Sequence, residues 1–82
     1  MHRTKPWRGI DKNDIAQTID TYVIGARAAR NREILKTCWL DGATAEACAE
    51  RFEMSPRQIQ QIICDWFPLI DKKLRKFDTY SA

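Results

Sequence analysis

An all-α fold, a small bundle of four to five helices containing a helix-turn-helix, is predicted by three observations. Apolar residues recur at helical intervals along the chain, as at Ile15, Ile19, Tyr22 and Val23. Good caps stand where those stretches begin and end: Asp11 or Asn13, Thr44, and Ser55 followed by Pro56, with Gly42 as a stop. Residues 44–65 read as two short helices joined by a tight turn. With 82 residues, 44% hydrophobic and 30% charged, the chain is one small soluble domain rather than a disordered segment. A domain of this size buries a limited share of its surface and is expected to be marginally stable or to dimerise.

Residues 1–10 have no helical period and carry Arg3, Lys5 and Arg8 among the breakers Pro6 and Gly9. They read either as a basic arm for DNA phosphates or a minor groove, or as a solvated tail with Trp7 packed on the body. The first helix is expected over residues 11–24, ended or bent by Gly25. The second, over 26–41, takes its apolar face from Ile34, Leu35, Cys38 and Trp39 and is stopped by Gly42. Arg27, Arg30 and Arg32 crowd its first half, as phosphate contacts or as a solvated face.

Thr44 caps the third helix; Ala49 is small where this helix meets the next, and Ala47 completes its short-residue face. The turn to the next helix is Phe52, Glu53 and Met54. The fourth helix opens at Ser55 and turns Ile59, Ile62, Ile63 and Trp66 inward, with Arg57, Gln58, Gln60 and Gln61 outward. Pro68 either kinks it or opens a fifth helix, whose stripe Ile70, Leu74 and Phe77 is core or a partner-binding seam. The organisation is thus an arm at 1–10, a helical domain at 11–77 with the helix-turn-helix at 44–66, and a frayed tail at 78–82.

The stretch Glu33-Ile34-Leu35, then Leu40-Asp41-Gly42-Ala43-Thr44, Ala49-Glu50-Arg51-Phe52 and Met54-Ser55 resembles the promoter-reading C-terminal domain of bacterial RNA polymerase sigma factors. It is similar, more closely, to short sigma-like regulators of phages and prophages of Gram-positive bacteria, and the likeness covers residues 19–74. The resemblance implies double-stranded DNA as partner, with the helix starting at Ser55 in the major groove. It also implies a left-handed turn at Glu53, where this chain departs from the Gly or Asn common in related families at a cost of about 1 kcal/mol against glycine. The chain is expected to be too short to initiate transcription alone and to act on operator DNA or alongside polymerase.

In that arrangement Thr44 braces the backbone, while Ser55, Arg57, Gln58, Gln60 and Gln61 form the reading end. Arginine can grip a guanine edge bidentately and glutamine an adenine edge. Charge argues the other way. Residues 44–67 carry Arg51 and Arg57 against Glu46, Glu50, Glu53 and Asp65, a net of −2 in a chain of net +3. Phosphate binding dominates DNA affinity, so positive charge has to come from the termini and from Arg27, Arg30 and Arg32. The competing reading is a protein-interaction module on the same scaffold, presenting Trp39, Trp66, Phe67 and Ile70 to RNA polymerase or a host factor.

Three cysteines without CxxC spacing give no disulfide framework or zinc site. Cys48 and Cys64 fall on predicted core faces as reduced thiols. The single histidine, His2, is terminal, and neither a glycine-rich phosphate loop nor paired carboxylates are present. No enzyme, cofactor or metal is expected. Nor does any stretch read as a membrane span or signal peptide, so a cytoplasmic protein follows, as a monomer or homodimer.

Overall fold

The structure is a computed structural model that describes residue 7 and residues 9–81, the side chains of 76–81 excepted. Arg3, Lys5 and Arg8 of the basic arm, His2 and the Phe77 side chain lie outside that description. Among the described residues four helices follow in order: α1 (Lys12–Tyr22), α2 (Ala28–Trp39), α3 (Ala45–Phe52) and α4 (Pro56–Ser81). Every pair except α1 with α3 packs directly, and α4 touches all the others.

Of the two alternatives at Pro68, no separate fifth helix opens there: α4 continues through the proline. Proline removes the donor that would meet the carbonyl four residues back, that of Cys64. Cys64 and Pro68 both face solvent, so water can serve that carbonyl without breaking the buried side. The 26 residues of α4 span about 39 Å at 1.5 Å each.

Local chemistry sets each boundary. Asp11 caps α1 by accepting the Asn13 N–H at 3.2 Å. The helix ends at Tyr22, earlier than Gly25, because Val23 turns extended (ψ 99°) and buries its side chain. Tyr22, expected on the apolar face, is correspondingly more exposed than Ile19 and Val23, with the Lys73 ammonium 4.8 Å from its ring centre. Past α2, Gly42 takes a φ of 78° and reverses the chain. Thr44 Oγ1 accepts the Ala47 N–H at 3.1 Å to start α3.

The end of α3 is a Schellman turn. Met54 N–H donates to Ala49 O (2.8 Å) and Glu53 N–H to Glu50 O. Glu53 sits at φ 56°, ψ 47°, the left-handed position that the resemblance implies. The small residue buried in this helix is Ala49; Ala47 is exposed, so it does not extend the packed face.

The core combines Ile15, Ile19 and Val23 with Ile34, Leu35, Cys38 and Trp39, then Cys48 and Ala49, and the α4 stripe Ile59, Ile62, Ile70 and Leu74. The stripe is therefore core on its described part, not an open seam. Cys64, expected inside, is exposed: it lies five residues beyond Ile59, about 140° round the helix.

Trp7 closes the core from outside the helices. Its ring meets Trp39 edge-on at 4.8 Å and stacks on Phe67 at 5.4 Å. Such pairs add about 0.5–1.5 kcal/mol each beyond area burial. Its indole N–H donates to Asp71 Oδ1 (2.8 Å), while Arg75 Nε donates to Asp71 Oδ2 (2.8 Å). Of the two readings of residues 1–10, Trp7 itself follows the second and packs on the body.

Burial alone would raise the Asp71 carboxyl. Hydrogen bonds from Arg75 and Trp7, helped by the Arg75 charge, overcome that and hold it below its ordinary 3.8. A lowered folded-state pKa adds stability above the unfolded value, which is lost as pH falls through the folded one.

Two outcomes follow. Asp71→Asn keeps an acceptor for the indole but removes the charge, so the variant should be less stable than the parent at pH 7. The gap should close below the ordinary 3.8, as read from urea midpoints across the acid range; a gap independent of pH would refute the ionic role. Glu53→Gly relieves the left-handed strain and should raise stability by about 0.5–1 kcal/mol in the same assay.

Candidate nucleic-acid interface

The first turns of α4 carry the candidate reading surface. Residues 57, 60, 61 and 64 recur at i, i+3, i+4 and i+7, so they share one helix face. That face is opposite Ile59 and Ile62, and all four residues are exposed. Core burial of the two isoleucines therefore determines which way Arg57, Gln60 and Gln61 point.

Side-chain hydrogen bonds separate these residues further. Among the described residues Arg57 and Gln60 have no side-chain partner. Gln61 Nε2 donates to Asp65 Oδ1 at 3.0 Å, one turn on. Gln58 is engaged at the helix start: its N–H donates to Ser55 Oγ (3.2 Å), and its Oε1 accepts the Ser55 N–H (3.0 Å). This is a reciprocal capping box. The S-x-x-Q spacing of such a box stands in the sequence, and it gives Gln58 a capping role beside the outward one expected for it. In this structure Ser55 and Gln58 hold the end of α4, while Arg57 and Gln60 extend from it.

Ser55, Arg57, Gln58, Gln60 and Gln61 are thus gathered at one end of one helix. Thr44 stands at the start of α3, its oxygen used as a cap. Cys38, near the far end of α2, touches Cys48 of α3; Arg27 lies about 17 Å from Cys38 along the α2 axis.

Arg27 is exposed. Arg30 donates through Nε and Nη2 to Asn31 Oδ1 (3.3 and 3.2 Å). Arg32 Nε donates to the Val23 carbonyl (2.8 Å), closing the end of α1. Through Nε it therefore acts structurally, a role that the sequence reading did not include. Beside it, Lys36 Nζ pairs with Asp20 Oδ1 (2.7 Å), a second tie between α1 and α2. No sequence pattern within α2 signals either bond, since both partners lie across the loop.

Electrostatically the molecule is divided. Glu46, Glu50 and Glu53 are exposed on α3 and its turn, next to the α4 start. Lys72 is exposed and Lys73 half-buried in the second half of α4. A phosphate backbone approaching Arg57 would meet carboxylates on one flank.

The aromatic surface expected for a protein partner is not available as such. Trp39 and Ile70 are core residues, and Trp66 and Phe67 are half-buried. The large apolar side chains left exposed among the described residues are Tyr22 and, at 65%, Ile24. Among the described residues no group of three or more metal-ligating side chains comes together, and no helix is long and apolar enough to cross a membrane.

The capping box is separable from the exposed row by stability. Ser55→Ala should cost about 1 kcal/mol and Gln58→Ala a comparable or smaller amount, with the double variant costing less than the sum. Arg57→Ala and Gln60→Ala should stay within about 0.5 kcal/mol of the parent in the same denaturation series. Comparisons of the chain with protein-family models, with curated proteins and with solved structures found no match.

Proposed function

We propose that this protein is a sequence-specific DNA-binding regulator of phage or prophage type that reads the major groove with the first turns of α4. The observation that carries this reading is the exposed row of Arg57, Gln60 and Gln61, held in orientation by the buried Ile59 and Ile62 on the other side of the same helix. The short α3, the left-handed turn at Glu53 and the capped start of α4 support its description as a helix-turn-helix. The resemblance of residues 19–74 to sigma-factor promoter-binding domains supports the same reading.

Arg57 supplies the bidentate donor for a guanine edge, and Gln60 and Gln61 offer donor and acceptor for adenine. Thr44 and Ser55 stand at helix starts, where backbone N–H groups suit phosphate. Arg27 and the basic termini supply what positive charge the acidic motif lacks. The protein acts in the cytoplasm on operator DNA, alone, as a homodimer, or alongside RNA polymerase.

A second reading rests on the exposed carboxylates Glu46, Glu50 and Glu53. A module of this shape can serve a basic protein partner, and phosphate would be repelled from the same surface. It differs from the aromatic docking surface expected from sequence, since Trp39 and Ile70 are occupied by the core.

Selection from a pool of randomised duplex DNA at two salt concentrations separates the two. An enriched site is expected, with affinity falling as salt rises. Arg57→Ala should cost about 1–3 kcal/mol and relax base choice at one position. Absence of enrichment at both salts overturns DNA reading and leaves the carboxylate surface as the working one.

A further inference from the structure

Two of the three cysteines are brought together by packing. Cys38 Sγ and Cys48 Sγ lie 2.7 Å apart. That is well inside the roughly 3.5–4.0 Å at which even smaller carbon atoms rest without bonding. One belongs to α2 and the other to α3, and the turn between them is set by Gly42 at positive φ and the Thr44 cap. Both are buried, Cys38 at 3% and Cys48 at 0% exposure, whereas Cys64 faces solvent on α4.

We propose that Cys38 and Cys48 are a covalent modification site, joined into a disulfide by an oxidant of the hydroperoxide class so that α2 is stapled to α3. The proposal stands independently of DNA binding. The chemistry needs one equivalent of peroxide. A thiolate sulfur attacks the peroxide O–O bond, which breaks to give a sulfenic acid and hydroxide; the hydroxide takes up the proton that the thiol released, leaving as water. The second sulfur then attacks the sulfenic sulfur, its S–H proton goes to the departing oxygen, and a second water leaves. Two thiols are oxidised by two electrons and one peroxide is reduced to two waters.

Burial determines partner and pace. A large thiol such as glutathione cannot reach either sulfur in the closed fold, so a sulfenic acid formed on one finds the other first. Burial, then the neighbouring sulfur, also push the Cys38 thiol up, which keeps thiolate scarce. Crosslinking should therefore be slow near neutral pH and faster in alkaline solution.

The test uses the full chain carrying Cys64→Ser, which removes the exposed competitor. The folded protein is treated with hydrogen peroxide at about pH 7 and about pH 9 and followed by intact mass. The expected product is lighter by about 2 Da, two hydrogens, and returns to the parent on reduction. Unreduced digestion should yield one linked peptide holding residues 38 and 48. The linked form should melt roughly 10 °C higher than the reduced one, as a short-loop disulfide in a small domain does.

Cys38→Ser should lose the product while keeping its helical circular dichroism. If that variant fails to fold, the linked peptide from the Cys64→Ser chain decides alone. Oxygen adducts without the lighter product, crosslinked dimers, or two thiols still titratable after prolonged treatment at the higher pH would each overturn the proposal.

Discussion

Continuity of α4 is the constraint on which the rest of the molecule depends. Ile59, Ile62, Ile70 and Leu74 form one buried line on a single uninterrupted helix, and α1, α2 and α3 all pack against it. Losing one such side chain to alanine typically costs about 2–5 kcal/mol, a large fraction of what a domain of this size possesses. A helix is a rigid cylinder, so fixing one side fixes the other. The outward direction of Arg57, Gln60 and Gln61 is a geometric result of the burial of Ile59 and Ile62 on the other side of the same helix.

Much of this was legible from residue types alone. Asp11, Thr44 and Ser55 announce helix starts because a short polar side chain can reach back-facing N–H groups nowhere else so well. A turn at residues 52–54 was legible because two helical periods stop and restart there; its left-handed backbone at Glu53 came from the resemblance alone. Boundaries that rest on longer reach were not. Arg32 finds the Val23 carbonyl across a loop, and nothing in the local spacing marks it as a structural arginine. Cys64 has the apolar identity of a core residue but the wrong angle on α4, and the capping role of Gln58 is hidden because base contact and capping ask for the same residue. Pro68 is tolerated for a reason visible only in three dimensions, namely that the orphaned carbonyl is on the wet side.

Competition for large apolar residues explains the surface that is left. A chain of 82 residues holding three tryptophans has few other ways to fill a core. Trp7, Trp39 and Phe67 are drawn into one cluster, with ring centres 4.8 to 6.0 Å apart. Side chains that in sequence resemble a docking patch are consumed in this way. The exposed face of α3 and the start of α4 is consequently polar and rich in carboxylate, and any partner must be chosen by hydrogen bonding and charge.

The contact between Trp7 and Asp71 spans 64 positions of the chain. The α3–α4 hairpin closes over a turn of a few residues and can form on its own short timescale. The Trp7 clasp, by contrast, requires nearly the whole chain to be present and already folded back on itself. Loop-closure entropy rises only logarithmically with that separation, so the penalty is modest, but the order of events is imposed. On a ribosome, Trp39 and Phe67 must wait for Asp71 to emerge before the last face of the core is covered. Until then the nascent chain exposes aromatic surface, and the interval before closure is when it is most open to aggregation or to capture by a chaperone.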